Sequence, residues 1–288
     1  MARFVFLSLL FLFLFLIDGS KSQLHVGFYS NTCPQVESTV HDVVREAVLF
    51  DRTKAAVLLR LHFHDCFVEG CDGSILINTT QNPEKTAFPH AGVKGFEVIE
   101  RAKAQLEASC PGVVSCADIV ALAARDAIVM ANGPAYQVPT GRRDGFVSDK
   151  SLAGNMPDVN DSIQQLKTKF LNKGLTEKDL VLLSELKARC PKDGDVNIRL
   201  AMDEGSDLKF DKSILKNIRE GFAVLASDAR LNDDFVTKSV IDSYFNPINP
   251  TFGPSFENDF VQSMVKMGQI GVKTGSVGNI RRVCSAFN

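Results

Sequence analysis

Helix signals recur along most of this 288-residue chain, while strand signals are few. Ser115 and Asp118 form a helix start signal, and Asn132-Gly133-Pro134 forms a stop signal. Further helices are predicted from Thr32-Cys33-Pro34-Gln35 toward Leu49, over 55–65, over 162–173, from Thr176, and over 210–220, 235–245 and 255–267. Strands are expected over 135–138 and 270–273 at most. The fold class is therefore predicted to be mainly α, with long polar loops over 73–95 and 141–161.

The composition is that of an ordinary globular protein, with 45% hydrophobic and 23% charged residues. It excludes a collagen-like, coiled-coil or largely disordered chain. The formal net charge is −2, so there is no basic field of the kind that nucleic-acid binding requires.

The N-terminus has the pattern of a secretory signal peptide. Arg3 precedes an apolar run over 4–17, which is too short to span a bilayer. Ser20 and Ser22 are the small residues expected before a cleavage site, which places the new N-terminus at Gln23. No later segment is apolar enough for a membrane span. We therefore expect a secreted, extracellular or cell-wall protein comprising residues 23–288, with a vacuolar location as the alternative.

The cysteines fit an exported protein but leave one thiol over. There are seven, and an oxidising compartment favours disulfides, yet seven cannot all pair within one chain. Asn78 and Asn160 begin glycosylation sequons, which is consistent with export.

The densest set of chemically useful residues lies over 60–74. On a helix, Arg60 and His64 share one face, with Phe63 alongside. A cation one turn from an imidazole lowers the tendency of that ring to hold a proton, so His64 is a candidate base near neutral pH.

Oxygen ligands follow this pair in the sequence. Asp65 and Asp72 flank a loop closed by Cys66 and Cys71. With the hydroxyl of Ser74 and the carbonyls of Val68 and Gly70, they can form an oxygen cage for calcium. The alternative is a helix end with a disulfide-stapled loop.

The run over 60–74 resembles the distal-haem signature of the secreted plant (class III) haem peroxidases. Further blocks in the same order are similar to that family: 23–34, 110–118, 139–145, 227–228 and 264–284. The resemblance implies a two-lobed helical fold that binds haem b, with a distal lobe over about 23–150 and a proximal lobe over about 151–288.

The resemblance also implies roles for individual residues. His64 would take a proton from hydrogen peroxide and return it to the leaving oxygen. Arg60 would stabilise the charge that develops as the O–O bond breaks. Phe63 would pack over the haem face, and Pro139 would line the channel for small phenolic donors.

Two calcium sites and three disulfides are implied in the same way. The distal calcium ligands would be Asp65, Val68, Gly70, Asp72 and Ser74. The second calcium site would keep Asp203, Ser206, the carbonyl of Lys209, and Asp211. The disulfides would be Cys33–Cys110, Cys66–Cys71 and Cys116–Cys284, which leaves Cys190 free.

One departure from the family lies beside the distal base. The family has an asparagine where this chain has His90, and the carbonyl of that asparagine orients the distal histidine. A neutral imidazole offers one acceptor nitrogen, whereas a protonated one offers none. The alternative is an exposed loop histidine after Pro89.

A larger departure follows Ser184. The family continues there into Gly-x-His-Thr, whose histidine is the proximal iron ligand and whose threonine binds the second calcium. In this chain Ser184 is followed directly by Glu185, which begins a segment resembling sequence several dozen residues further on. The five histidines are His25, His41, His62, His64 and His90, so none lies in the proximal half.

The gap has consequences elsewhere and leaves several hypotheses open. It removes the expected partner of Cys190 and deprives Asp228 of the proximal ring that it would contact. The chain is then a monomeric peroxidase using hydrogen peroxide and phenolic donors, an inactive secreted calcium-binding glycoprotein, or a non-functional splice or gene-model product. A thiolate from Cys190 as iron ligand, or an intermolecular disulfide through it, are alternatives.

Overall fold

The computed structural model of the protein describes residues 24–183, 206, 208–223, 225–245 and 253–288. The α-helices within these ranges are α1 (Val36–Phe50), α2 (Lys54–Phe67), α3 (Phe96–Ser109), α4 (Cys116–Met130), α5 (Ile163–Asn172), α6 (Glu177–Leu183), α7 (Ser213–Glu220), α8 (Ala226–Ala229), α9 (Phe235–Ser243) and α10 (Phe256–Met267). The mainly α fold class is confirmed.

Two predicted helices begin at side-chain caps, and of these the cap at Ser115 was itself predicted. The hydroxyl of Ser115 accepts a hydrogen bond from the Asp118 amide at 3.1 Å, which caps α4. Ser162 and Gln165 form a reciprocal capping box at the start of α5, and Gly174 follows that helix with φ of +75°. Each cap satisfies amide groups that a helix N-terminus leaves without partners.

Three helix starts differ from the sequence prediction. Within the described residues, α1 has Gln35 as its N-cap and no side-chain cap, so Thr32 and Gln35 do not form the capping box that their spacing indicates. α7 starts at Ser213 rather than near 210, because the Phe210 amide donates to the Ala131 carbonyl at 2.8 Å. α3 lies outside the predicted set and follows Gly95, whose φ is +93°.

Strand structure is limited to isolated bridges in the part of the chain that the structure describes. These join His25 to Thr140, Arg143 to Lys273, and Asp144 to Asn279. The strand predicted over 135–138 does not form, and the one predicted over 270–273 is reduced to the bridge at Lys273.

Helix α2 contributes to two hydrophobic cores. Leu58 and Leu61 pack in the core that α1, α3 and α4 build. Phe63 and Phe67 pack in the core that holds the buried residues of α5, α6 and α10. Burial of each such side chain stabilises the fold by roughly 1.5–3 kcal/mol. The helix that carries Arg60 and His64 is therefore held from both sides.

Three disulfides are present in the described part of the chain, of which two join distant segments and one closes a short loop. They are Cys33–Cys110, Cys66–Cys71 and Cys116–Cys284, and the last spans 168 residues. The segment beside Cys284 is also held by Arg281, whose amide donates to the Asp144 carboxylate at 2.8 Å. The C-terminus is thus fixed against the start of α4.

Among the described residues, no helix has both the length and the apolar character that crossing a bilayer requires.

Candidate active site

Arg60 and His64 lie one turn apart on α2 and contact each other directly. Arg60 Nε donates to His64 Nε2 at 3.1 Å. Arg60 Nη2 also donates to the Ala91 carbonyl at 3.0 Å, which anchors the guanidinium across the loop that precedes α3. Both side chains are buried, so their orientation is set by these contacts and not by solvent.

The environment of His64 favours a neutral ring. Burial, with added repulsion from Arg60 and His90, holds the pKa of His64 well below its usual value. A neutral imidazole at pH 7 is able to take up a proton, which is the property that a general base needs.

His90 lies against the other side of the same ring. It ends a 3-10 turn over Phe88–His90, and its Nδ1 is 3.0 Å from His64 Nδ1. His90 is only 2% exposed, so the interpretation as an exposed loop histidine is wrong. Burial and the charge of Arg60 lower the pKa of His90 to about 4. It is therefore neutral near pH 7 and able to accept a hydrogen bond.

Glu84 lies beyond His90 in this group of buried side chains, and no sequence pattern indicated it. Its Oε1 is 3.8 Å from His90 Nε2, and both side chains are fully buried. Neither carboxylate oxygen has a hydrogen-bond partner among the described residues. Burial, together with the charge of Asp65, raises the pKa of Glu84 to about 8.

Phe63 lies beside His64, with the two ring centroids 5.9 Å apart. Its ring stacks on Phe67 with centroids 4.1 Å apart and lies 6.3 Å from Phe170. Phe63 is 1% exposed. It therefore forms an apolar wall next to His64.

The loop that follows α2 brings the predicted oxygen ligands together. Asp65 Oδ2 accepts from the Gly73 amide, and Asp72 Oδ1 accepts from the Ser74 amide, both at 3.0 Å. The other Asp65 oxygen and the Ser74 hydroxyl are buried with no hydrogen-bond partner in the described part of the chain. Burial and the nearby Asp72 raise the pKa of Asp65. Unpartnered oxygens between two carboxylates fit a hard cation such as calcium.

Two lysines also reach the loop, which the sequence patterns did not predict. Lys173 Nζ donates to the Val68 carbonyl at 2.7 Å. Lys273 Nζ pairs with Asp72 Oδ2. The Gly70 carbonyl accepts from the Asp72 amide at 2.8 Å. The described residues include no cluster of three or more His, Cys, Asp or Glu that could hold a metal ion. The oxygen ligands that this loop offers are two carboxylates, one hydroxyl and backbone carbonyls.

The remaining predicted site residues lie elsewhere. Ser206 donates to Asp211 at 3.2 Å, so part of the second calcium set is together. Asp203, Cys190 and the junction between Ser184 and Glu185 lie outside the described residues. Pro139 is half-buried, and its carbonyl accepts from Arg142 at 2.7 Å, in a network separate from His64.

Comparison with known proteins places this site in a family. A family model described as Peroxidase matches residues 36–186. The chain is 58% identical to Peroxidase 43 of Arabidopsis thaliana, over 93% of this chain and 94% of that protein. It is 52% identical to Peroxidase 13 of Arabidopsis thaliana, over 93% of this chain and 94% of that protein. It is 44% identical to Peroxidase N1 of Nicotiana tabacum, over 100% of this chain and 97% of that protein.

The helical fold and the buried Arg60–His64 pair are those of an oxidoreductase of the haem peroxidase class. The chain belongs to the plant (class III) peroxidase family.

The alignments are longer than the chain itself. Peroxidase N1 is aligned over 324 positions that take in all 288 residues, a difference of 36. About 36 positions of that alignment therefore have no counterpart in this chain.

Proposed function

We propose that this chain is built on its distal side to handle hydrogen peroxide, with small phenolic compounds as electron donors. We also propose that turnover by the chain as written is negligible, because the proximal iron ligand is missing. The observation that carries the first part is the buried contact between Arg60, His64 and His90.

The distal residues suit the proton chemistry of peroxide reduction. His64 Nε2 takes a proton from hydrogen peroxide and returns it to the departing oxygen as water forms. The Arg60 guanidinium stabilises the negative charge on that oxygen. Because Arg60 Nε donates to the same His64 nitrogen, peroxide has to replace this hydrogen bond when it binds.

The family's haem-contacting residues are present on one side of the expected haem only. Haem would supply the iron at which the O–O bond is reduced, and Phe63, Arg60 and His64 would face it. On the other side the family uses a histidine, and the sequence has none after His90. The family match ends at residue 186, two residues beyond Ser184, and the 36 unmatched alignment positions approximate the length of the missing stretch. These observations support a gap between Ser184 and Glu185.

The distal role of His64 is tested in a chain whose proximal segment has been restored. His64→Leu is expected to lower the rate of phenol oxidation about a hundredfold or more, because general acid–base catalysis contributes at least that much. The measurement is steady-state oxidation of a phenolic donor by hydrogen peroxide. The control is His41→Gln, since the His41 side chain is 39% exposed and contacts Asp126 at 3.5 Å. Equal rates in His64→Leu and the restored parent would contradict the role.

A distal calcium ion is the second part of the proposal. The unpartnered oxygens of Asp65 and Ser74 support it, and none of the five candidate ligands depends on the missing segment. Asp65, Val68, Gly70, Asp72 and Ser74 would bind the ion, whereas the second site would keep only part of its ligands. Calcium binding at the distal site is the property that would remain if the chain is a catalytically inactive glycoprotein.

Calcium is expected to raise the melting temperature of the protein, and Asp72→Ala is expected to abolish most of that rise. Asp72 supplies one of two carboxylates in the loop, and a hard cation binds weakly without them. The measurement is thermal unfolding with calcium and with a chelator. Asp233→Ala, at an exposed position, is the matched control.

Lys273→Met tests the same site in the opposite direction. Removing the ammonium that pairs with Asp72 is expected to tighten calcium binding, which isothermal titration measures. A calcium response that survives Asp72→Ala unchanged would overturn the assignment of the site.

The signal-peptide pattern and the two sequons support export of residues 23–288 to the cell wall or extracellular space. Within that setting Pro139 would line the access path for phenolic donors. The protein would be a monomer, with Cys190 available for a disulfide to a second chain.

A further inference from the structure

A cleft separate from the candidate active site lies where the N-terminal and C-terminal segments meet. It has a volume of about 260 Å³, and its lining includes Phe28, Val113, Arg143 and Ile280. None of its lining residues is shared with the group around His64. Pockets for drug-sized ligands usually have roughly 300–1,000 Å³, so this smaller cleft suits a molecule with a single ring.

Arg143 gives the cleft a positive charge without a counter-charge. Its Nε donates to the Gly278 carbonyl at 3.2 Å, which fixes the guanidinium group. Among the described residues, its two Nη nitrogens have no hydrogen-bond partner and its charge has no carboxylate partner. Arg142 beside it is paired with Asp118 at 2.8 Å, and the lining contains no aspartate or glutamate. The cleft therefore favours a ligand with one negative charge.

Phe28 gives the cleft an aromatic side chain that is held in place. Its ring meets the Tyr29 ring edge-on with centroids 4.9 Å apart, and lies 5.2 Å from the His25 ring. Gly141 has φ of +117°, and a Cβ there would lie 2.9 Å from the Phe28 ring. The backbone can approach the ring this closely only because residue 141 is glycine. A ring that is already ordered loses little entropy when a ligand packs against it.

We propose that this cleft binds a small aromatic carboxylate, whose carboxylate group pairs with the Nη nitrogens of Arg143 and whose ring packs against Phe28 and Ile280. A guanidinium group matches a carboxylate through two parallel hydrogen bonds. An inorganic anion would leave the apolar part of the lining uncovered, and an uncharged ring would leave Arg143 without a counter-charge. The site is independent of the proposed peroxide chemistry, because no residue of the cleft takes part in it.

Benzoate and benzamide are matched probes that differ in charge and not in the ring. Neither carries a phenol hydroxyl, so neither is one of the proposed electron donors. In an NMR titration of the full secreted chain labelled with ¹⁵N, benzoate is expected to shift the amide signals of Gly112 and Gly275 saturably, since both line the cleft. The amide of Ala91, whose carbonyl accepts from Arg60, should stay unchanged. Benzamide should bind roughly tenfold more weakly or less tightly still, because it lacks the charge-assisted hydrogen bonds.

Variants assign the charge recognition to one side chain. Arg143→Gln is expected to weaken benzoate binding roughly tenfold or more, down to the level of benzamide. Arg52→Gln removes the same charge from an exposed position outside the cleft and is the matched control. His64→Leu is expected to leave benzoate binding unchanged. Should Arg143→Gln fail to fold, the two probes and the shifted amides in the parent chain still decide.

Several results would overturn the inference. One is the absence of saturable shifts at Gly112 and Gly275 with benzoate, and another is equal affinity for benzoate and benzamide. Equal benzoate affinity in the parent and in a folded Arg143→Gln variant would do the same. Loss of benzoate binding in His64→Leu would place the probe beside that histidine and not in the cleft.

Discussion

Inserting a family-type proximal segment with its histidine between Ser184 and Glu185 is expected to raise phenol oxidation by well over a hundredfold. In the proposed mechanism Arg60 and His64 act on a peroxide that is already positioned, and a misplacement of about 1 Å can by itself cost on the order of a hundredfold in rate. If the proximal ligand is absent, as proposed above, the iron is not positioned, and the expected loss of rate is larger than a hundredfold. A defined Soret band on haem titration, together with steady-state oxidation of a phenolic donor, measures both parts of the effect.

The matched control is the same insertion with its histidine replaced by alanine. It restores the length of the chain without restoring the ligand, so it is expected to stay near the level of the short chain. If the chain without the insertion shows a well-defined Soret band and the same turnover as the restored chain, another residue supplies the iron ligand. Cys190→Ser in the short chain then tests whether that residue is the free thiol.

The parts of the fold that the sequence predicted are those decided by local hydrogen bonds. Ser115 and Ser162 cap α4 and α5 with their own side chains, and such caps are visible as residue patterns. α3 follows Gly95 and has no side-chain cap within the described residues, so its start carries no such pattern. α7 begins late because Phe210 bonds to the distant Ala131, which only the tertiary fold brings near.

The contacts of the candidate site also divide into local ones, which the sequence predicts, and long-range ones, which it does not. The contact between Arg60 and His64 follows from helical spacing and was predictable. The contact between His64 and His90 joins residues 26 positions apart, and the spacing left its geometry open. Lys273 and Asp72 are 201 positions apart, so no local pattern indicates their ion pair. Long-range polar partners of a site are therefore what sequence reasoning misses here.

The disulfide between Cys116 and Cys284 is expected to be a major contributor to stability. It closes a loop of 168 residues, and loop-closure entropy predicts about 5 kcal/mol of stabilisation as an upper value. The double variant Cys116→Ala and Cys284→Ala should lose a large part of this stabilisation. Urea denaturation of parent and variant measures the difference in the free energy of unfolding.

The short disulfide provides the control for this prediction. The double variant Cys66→Ala and Cys71→Ala removes the same two sulfur atoms, and all four cysteines are fully buried. Cys66 and Cys71 are five residues apart, for which the same relation gives about 2 kcal/mol. Both double variants are compared in the presence of a chelator, so that calcium at the proposed distal site does not contribute to the stability difference measured for the short loop. The long-loop variant should be the less stable by about 3 kcal/mol at most. Equal losses would mean that the bond acts through local packing around Cys284 and not through the loop that it closes.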